Sequence, residues 1–348
     1  MVSNKKNLIV RSTAPLRLGL AGGGTDVSPY SDMYGGLVLN ATINLYAHCY
    51  IEVTDDNIIE ITAVDLNKTE KYPTQKTLPI NGTLDLGKGV YNRLVKDYDL
   101  PALSFKMTTY SDAPAGSGLG SSSTMVVCIL KAFMEWLKLP IGDYELARLA
   151  YEIERIDLKL SGGKQDQYAA AFGGFNYMEF LPNDLVIVNP LRIKRWIVDE
   201  LENSMVLYYT GASRSSAKII DEQKKNTQSG KTQTLDALHK IKQSVRDMNQ
   251  CILVGDVMGF ADIIRQGWED KKRLANSISN EKIDNVFKIA SQNGAIAGKV
   301  SGAGGGGFIT LVVKPEKKFS LMRALDTLDG KTIPFKFTED GTHGWTIY

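Results

Sequence analysis

The run Ala113-Pro-Ala-Gly-Ser-Gly-Leu-Gly-Ser-Ser-Ser123 constrains this chain more than any other stretch. Its last eight residues hold three glycines and four serines. A strand-like segment, Leu103-Ser-Phe-Lys-Met-Thr-Thr-Tyr110, precedes it, and an apolar helix-like run, residues 124–137, follows at once. Glycine lets a backbone turn sharply and approach a ligand closely. Serines at a helix start can cap its free N–H groups. The first turn of a helix carries unpaired donors and partial positive charge. A strand, a glycine loop and a helix start in that order make a cradle for phosphate. An ordinary flexible linker would not sit between a strand and a long apolar helix.

Two familiar phosphate motifs are excluded. The run lacks the Gly-Lys-Ser/Thr ending of a P-loop, so the lysine and the metal-binding hydroxyl of that motif are missing. It is not a dinucleotide fingerprint either, since Gly-x-Gly-x-x-Gly with a later ribose-binding acid does not occur here.

Two more glycine-rich segments share the chain. Ala14-Pro-Leu-Arg-Leu-Gly-Leu-Ala-Gly-Gly-Gly-Thr-Asp26 lies near the N-terminus and Lys299-Val-Ser-Gly-Ala-Gly-Gly-Gly-Gly-Phe308 near the C-terminus. The three segments, in this order, resemble the three motifs of the GHMP kinases, the family of galactokinase, homoserine kinase, mevalonate kinase and phosphomevalonate kinase. Within it, the Ala-Gly-Gly-Gly-Thr-Asp form of the first motif is most similar to the D-glycero-D-manno-heptose 7-phosphate kinases. The resemblance implies an α+β fold of two domains. Residues 1–195 would form one like ribosomal protein S5 domain 2, residues 196–348 a ferredoxin-like one, and the active site would lie between them.

Composition is ordinary for a soluble globular protein. The chain has 348 residues, 43% hydrophobic and 23% charged, with a net charge of +2. That balance supplies no broad basic surface for nucleic acid. Cys49, Cys128 and Cys251 are far apart and odd in number, which argues against a disulfide frame or a zinc site. No apolar run reaches the roughly 18 residues that span a bilayer, and Leu8-Ile-Val10 is too short for a secretory core. A cytosolic location is expected, with no membrane partner.

The pattern predicts strands at 7–11, within 38–53 and at 58–64, an irregular connection over 65–84, and a helix over 85–98. Leu146, Leu149, Ala150 and Ile153 share one face of a helix starting near Asp143. The segment Ser161-Gly-Gly-Lys-Gln-Asp-Gln-Tyr168 breaks it. Strands are expected at 175–180, 185–188 and 205–209, and helices near 213–225, 233–254, 256–274 and 281–292. A strand, glycine loop, strand, helix, strand tail completes the chain.

Phosphoryl transfer needs a triphosphate cradle, a divalent cation and an oriented acceptor oxygen. By resemblance, ATP is held by Pro114, Ala115, Gly116, Ser117, Gly118, Leu119, Gly120, Ser121 and Ser122. Ser122 and Glu154 would ligate Mg²⁺, with Glu152 as the rival to Glu154. Asp166, in Gly162-Gly-Lys-Gln-Asp-Gln167, resembles the catalytic aspartate of galactokinase, and Arg17 its Ala-Pro-x-Arg arginine. A carboxylate within hydrogen-bond reach of an acceptor hydroxyl can orient it and take its proton. Asp166 also suits a helix N-cap. Thr25 and Asp26 would bind sugar hydroxyls beside Gly23 and Gly24, which stand where galactokinase has Glu-His and so open room for a different sugar. Gly302, Ala303 and Gly304 would present N–H groups to the substrate. Arg214, in Ser213-Arg-Ser-Ser216, and Lys164 are the candidates for a substrate phosphate.

The activity implied is transfer of the γ-phosphoryl group of ATP to the anomeric hydroxyl of a heptose 7-phosphate, for nucleotide-activated heptose synthesis. The alternatives are a fucokinase-like sugar 1-kinase and a non-catalytic sugar- and ATP-binding regulator on the same fold. The partners are ATP and a sugar phosphate, with a homo-oligomer also compatible. His48, His239 and His343 occupy no metal-ligand or triad setting, which leaves hydrolase chemistry without support.

Overall fold

Residues 8–211 and 216–347 are described by the computed structural model. The chain opens with β1 (Ile9–Ala21), then α1 (Tyr30–Tyr34), β2 (Gly36–Val53), β3 (Ile58–Ala63), β4 (Lys68–Pro73), α2 (Asp85–Asp97) and β5 (Phe105–Ser111). The glycine loop leads into α3 (Ser121–Leu137) and α4 (Asp143–Glu152), which runs on into a π-helical turn (Ile153–Asp157). Helix α5 (Gln165–Phe172), β6 (Phe175–Phe180), β7 (Val186–Pro190), α6 (Arg195–Ser204) and β8 (Met205–Tyr209) follow. Next come the helices α7 (Ser216–Gln228), α8 (Thr232–Val254), α9 (Val257–Lys272) and α10 (Glu281–Gln292). The tail is β9 (Ala295–Val300), β10 (Phe308–Val313), α11 (Lys318–Leu325), β11 (Lys331–Ile333) and β12 (His343–Ile347).

The strands form two sheets. An eight-stranded sheet has the order β12-β1-β2-β5-β3-β4, with β6 and β7 branching from β2. The branch is possible because β2 is long and irregular. Its first half pairs with β6 and its second half with β5, and the register against β1 shifts between Pro15 and Leu16. The second sheet is antiparallel in the order β11-β8-β10-β9.

Helix α3 is apolar nearly all round, as its sequence requires of a helix buried on several sides. Val126, Val127, Cys128, Leu130 and Phe133 are fully buried in the core of the first sheet's domain. Lys138 then takes a left-handed conformation and ends the helix. In β1 the period-two alternation of a strand divides the residues. Leu16, Leu18 and Leu20 enter an apolar cluster with Val245, Met248 and Ile252 of α8 and Phe260 and Ile264 of α9. Burial of each such leucine stabilises by about 1.5–3 kcal/mol. The odd-numbered Arg17 and Gly19 line the cleft instead. The two layers are therefore clamped together along the strand that carries the first glycine motif.

Several expectations change. The residues placed at 7–11 belong to a strand that runs on to Ala21. Strand β4 lies inside the stretch expected to be irregular, paired to β3 across Ile61 and Glu70. Helix α6 occupies much of the segment read as mixed. The largest difference concerns the second domain, expected to keep residues 196–348. The last strand, β12, returns to pair with β1 from Ile9 to Thr13. Thr338 and Lys336 also bond back to Thr42 and Asn44. Among the described residues no helix is long and apolar enough to cross a membrane.

Candidate active site

A cleft of about 350 Å³ opens between the layers. Its walls come from the three glycine-rich segments, the π-turn, the start of α5 and helices α7 and α9. The α3 end of the cleft matches the cradle inferred from sequence, with one correction. The serines do not cap the helix. The N-cap is Gly120, in a left-handed conformation and without a side-chain cap bond. Ser121 Oγ approaches Pro114 O at 3.4 Å, Ser122 Oγ donates to Glu154 Oε1 at 3.0 Å, and Ser123 Oγ accepts from Gln167 Nε2 at 3.1 Å. The helix N-terminus is thus left uncapped where it faces the cleft, which is what an anion requires.

Gly116, Gly118, Gly120, Ser121 and Ser122 line this end. Ser117 and Leu119 do not: both side chains are fully buried, Leu119 in the apolar cluster between the layers. Ser117 O instead accepts from Phe308 N at 2.9 Å. Pro114 and Ala115 lie on the exposed lip. The third glycine segment locks onto the loop: a Cβ on Gly302 would stand 2.6 Å from Gly118 Cα, so the backbones touch where only glycine fits. Gly302 and Ala303 face the cleft, whereas Gly304 packs against Ile278 and lies outside the lining.

The two candidate glutamates are two residues apart, where the α4 helix runs on into the π-turn, and so point to opposite sides. Glu152 stays outside, paired with Arg93 and with Arg148 at 3.0 Å. Glu154 is fully buried, holds Ser122 through one oxygen and accepts from Gln167 Nε2 at 2.5 Å through the other. Among the described residues no group of three or more His, Cys, Asp or Glu gathers as a metal cage. A lone carboxylate beside a hydroxyl at a phosphate cradle suits a cation that keeps waters and takes phosphate oxygens.

Asp166 sits in the first turn of α5, beside the glycine loop, where a Cβ on Gly120 would stand 3.1 Å from its Cγ. Arg17 donates to Asp166 Oδ1 from Nε at 2.7 Å and to Gly118 O from Nη1 at 2.8 Å. The two residues expected to act together are in contact.

Asp26 lines the cleft as expected, but its carboxylate is occupied within the protein. It is buried and accepts four N–H bonds: from Gly24 and Gln165 Nε2 through Oδ1, and from the backbone of Lys164 and Gln165 through Oδ2. Burial, and then Asp166, push its carboxyl above the usual range, against the lowering effect of the N–H donors. It caps the start of the Asp166 helix and has no lone pair to spare for a sugar. A Cβ on Gly163 would come 2.0 Å from Asp26 Oδ2, so the glycine is needed for that approach. Thr25 is buried as well; its hydroxyl donates to Leu37 O at 2.7 Å and accepts from Leu37 N at 3.1 Å. It pins the first glycine loop to β2. Gly23 and Gly24 do line the cleft. Lys164 turns away, donating to Asp184 at 2.5 Å under the Tyr151 ring. Its N–H serves Asp26 while its ammonium is held elsewhere by charge. Arg214 lies outside the described residues.

The structure adds residues that sequence reading missed. Arg155, Gln165, Gln223, Lys271 and Lys299 all line the cleft. Gln223 donates to Gly24 O at 3.0 Å and ties α7 to the first glycine loop. Lys299 is the first residue of the third glycine-rich segment, a signal that could have been used. Lys271 lies in a helical run of charged residues that gives no such signal.

Comparison with known proteins agrees with this geometry. Residues 85–174 match the GHMP kinases N terminal domain, and residues 247–327 match the GHMP kinases C terminal domain. The chain is 50% identical to D-glycero-alpha-D-manno-heptose 7-phosphate kinase of Campylobacter jejuni, over 97% of this chain and 99% of that protein. A crystal structure of a D-glycero-D-manno-heptose 1-phosphate kinase from Bacteroides thetaiotaomicron superposes with a TM-score of 0.85 at 59% identity, covering 97% of this chain and 99% of that one. The L-fucokinase/L-fucose-1-P guanylyltransferase of Bacteroides fragilis is 26% identical over 95% of this chain and 37% of its own length. With both domain models matched in order and a full-length relative at half identity, the chain belongs to the GHMP kinases.

Proposed function

We propose that this chain is an ATP-dependent sugar kinase that phosphorylates the anomeric hydroxyl of D-glycero-D-manno-heptose 7-phosphate, giving the 1,7-bisphosphate. The observation that carries the chemistry is the contact between Arg17 and Asp166, set in one cleft with an uncapped helix N-terminus. The sugar rests on the two relatives named for heptose phosphates.

The residues divide the work by position. The first-turn N–H groups of α3 and the glycine backbone receive the nucleotide phosphates. Ser122 and Glu154 would hold Mg²⁺, which neutralises phosphate charge when bound. Asp166 accepts a hydrogen bond from the acceptor hydroxyl. As the oxygen bonds to the γ-phosphorus and the bridge to the β-phosphate breaks, the hydroxyl proton passes to the Asp166 carboxylate and ADP leaves. The transition state is loose, so an ordinary carboxylate suffices as the proton acceptor. Arg17 fixes that carboxylate and places positive charge beside Gly118 of the nucleotide loop. An enzyme of this kind works in the cytosol, where ATP and sugar phosphates are found.

The two heptose relatives carry names that differ in which phosphate the acceptor already bears. ADP release with Mg²⁺-ATP therefore needs both the 7-phosphate and the 1-phosphate, beside sedoheptulose 7-phosphate, L-fucose, galactose and mevalonate. Turnover selective for the 7-phosphate is expected. Selectivity for the 1-phosphate would move the transfer to the other end of the sugar. Turnover on fucose alone would replace the heptose by the fucokinase-like reading that the 26% relative supports.

A further inference from the structure

Two lysines face the cleft without a carboxylate to hold them. Lys271 of α9 donates to Gly302 O, and Lys299 of β9 donates to Leu20 O at 3.1 Å. Both partners are neutral carbonyls. Among the described residues neither lysine forms an ion pair, while the other two cations in the lining do: Arg17 with Asp166 at 2.6 Å and Arg155 with Glu154 at 3.6 Å. The carboxylates of the cleft are spoken for. Asp166 is held by Arg17, Glu154 by Ser122 and Gln167, and Asp26 by its four N–H donors. The lysine pair is the charge left over.

A half-buried ammonium without a carboxylate partner is costly, and two together with Arg17 repel one another. Burial and these neighbours lower Lys271 to about 8 and bring Lys299 well below the usual lysine range. A site that keeps such a pair is complete only when an anion enters. A phosphate carries about −1.5 to −2 at pH 7, which matches two ammonium groups. The position favours the acceptor's phosphate over the nucleotide's. Both lysines also line a smaller hollow of about 30 Å³ with Leu20, Gly22 and Gly23 of the first glycine segment, and no residue of the 114–123 loop joins it.

We infer that Lys271 and Lys299 form the subsite for the phosphate group of a phosphorylated acceptor. This rests on the reading above that the acceptor is a sugar phosphate, and it takes the role for which Arg214, outside the described residues, and Lys164 are the sequence candidates.

The test uses Lys271→Met and Lys299→Met in the full chain. Thermal shift is measured with inorganic phosphate and with a sugar-phosphate panel, under saturating ADP so that the glycine loop is filled. The wild type should gain stability from phosphate and each variant should lose most of that gain. In kinetics the KM for heptose 7-phosphate should rise at least about tenfold, with the KM for ATP within about twofold. An equal rise in the KM for ATP would assign the pair to the nucleotide and overturn the inference, as would full retention of the phosphate shift. If the wild type ignores heptose 7-phosphate, the functional reading fails, yet the phosphate shifts still decide the lysines. The ligand-free variants should melt at or above the wild type, because no ion pair is lost; a clear drop would make the lysines structural and overturn the subsite.

Discussion

Arg17 grips one oxygen of Asp166 with two nitrogens, Nε at 2.7 Å and Nη2 at 2.6 Å from Oδ1. Its third nitrogen, Nη1, holds Gly118 O at 2.8 Å. One side chain on β1 therefore fixes the carboxylate at the start of α5 relative to the loop before α3. Lysine, with a single ammonium, has no fork to make both connections. Because both bonds fall on Oδ1, Oδ2 has no donor among the described residues and remains to receive an acceptor hydroxyl.

Asp166→Asn should lower kcat by about 10²–10⁴, the usual contribution of a positioned general base. Arg17→Lys should also lower kcat, since Asp166 loses its orientation. ATP affinity, measured by calorimetry on the Asp166 variant, should stay near the wild type because the phosphate cradle is untouched. An Asp166→Asn enzyme turning over at the wild-type rate would remove the proton-accepting role.

Asp26→Asn should damage folding and kcat together. Asparagine keeps one carbonyl oxygen for four N–H donors and turns its own NH₂ toward them, at about 1–3 kcal/mol for a buried mismatch. Gly163→Ala should give the same pattern, since a Cβ there meets the Asp26 carboxylate at 2.0 Å. The melting temperature and the kcat-against-KM split check this. Loss confined to the acceptor KM, with stability intact, would restore the sugar-contact role expected from the sequence.

The contrast between Asp26 and Asp166 shows what a sequence can disclose here. The three glycine segments mark the cleft, because a backbone that touches a ligand or another backbone leaves a compositional trace, as at Gly118 against Gly302. Which polar side chains are left free to meet a ligand leaves none. Asp26, Thr25 and Lys164 carry the right chemistry, but neighbours far along the chain satisfy them: Gln165, Leu37 and Asp184. The return of β12 to β1 was hidden for a similar reason. A short alternating strand states its own period and not its partner. Lys271 could not be read at all, since its lack of an acidic partner is a property of the fold.

Glu152 and Glu154 are two residues apart and so point to opposite sides of the helix: one is paired outside with Arg93 and Arg148, and the other is buried against Ser122. Glu154→Gln should raise the Mg²⁺ concentration for half-maximal rate about tenfold or more, with Ser122→Ala milder. Glu152→Gln should leave that titration unchanged and cost only a little stability. A Mg²⁺ titration at fixed ATP separates the three variants, and a large shift in Glu152→Gln would reverse the assignment.

The lysine pair fixes the pH dependence of acceptor binding. In the ligand-free protein Lys271 loses its proton around 8, with Lys299, Arg17 and Asp26 as its charged neighbours. An entering phosphate dianion favours the ammonium form, so binding takes up protons and the affinity falls as pH rises past 8. At the acid side the phosphate itself loses its second charge near pH 6. Acceptor KM should therefore be lowest between about pH 6.5 and 8 and rise steeply above, while ATP binding stays flat there. Stability runs the other way. Both lysines are held below the ordinary 10.5, Lys271 at about 8, so below 10.5 the unfolded chain binds more protons than the folded one, and for Lys271 the contribution to ligand-free stability improves as pH climbs from about 8 to 10.5. Lys271→Met should flatten both trends. Calorimetry in buffers of different ionisation enthalpy measures the proton uptake directly; its absence in the wild type at pH 8 would show that the ammonium groups do not meet the phosphate.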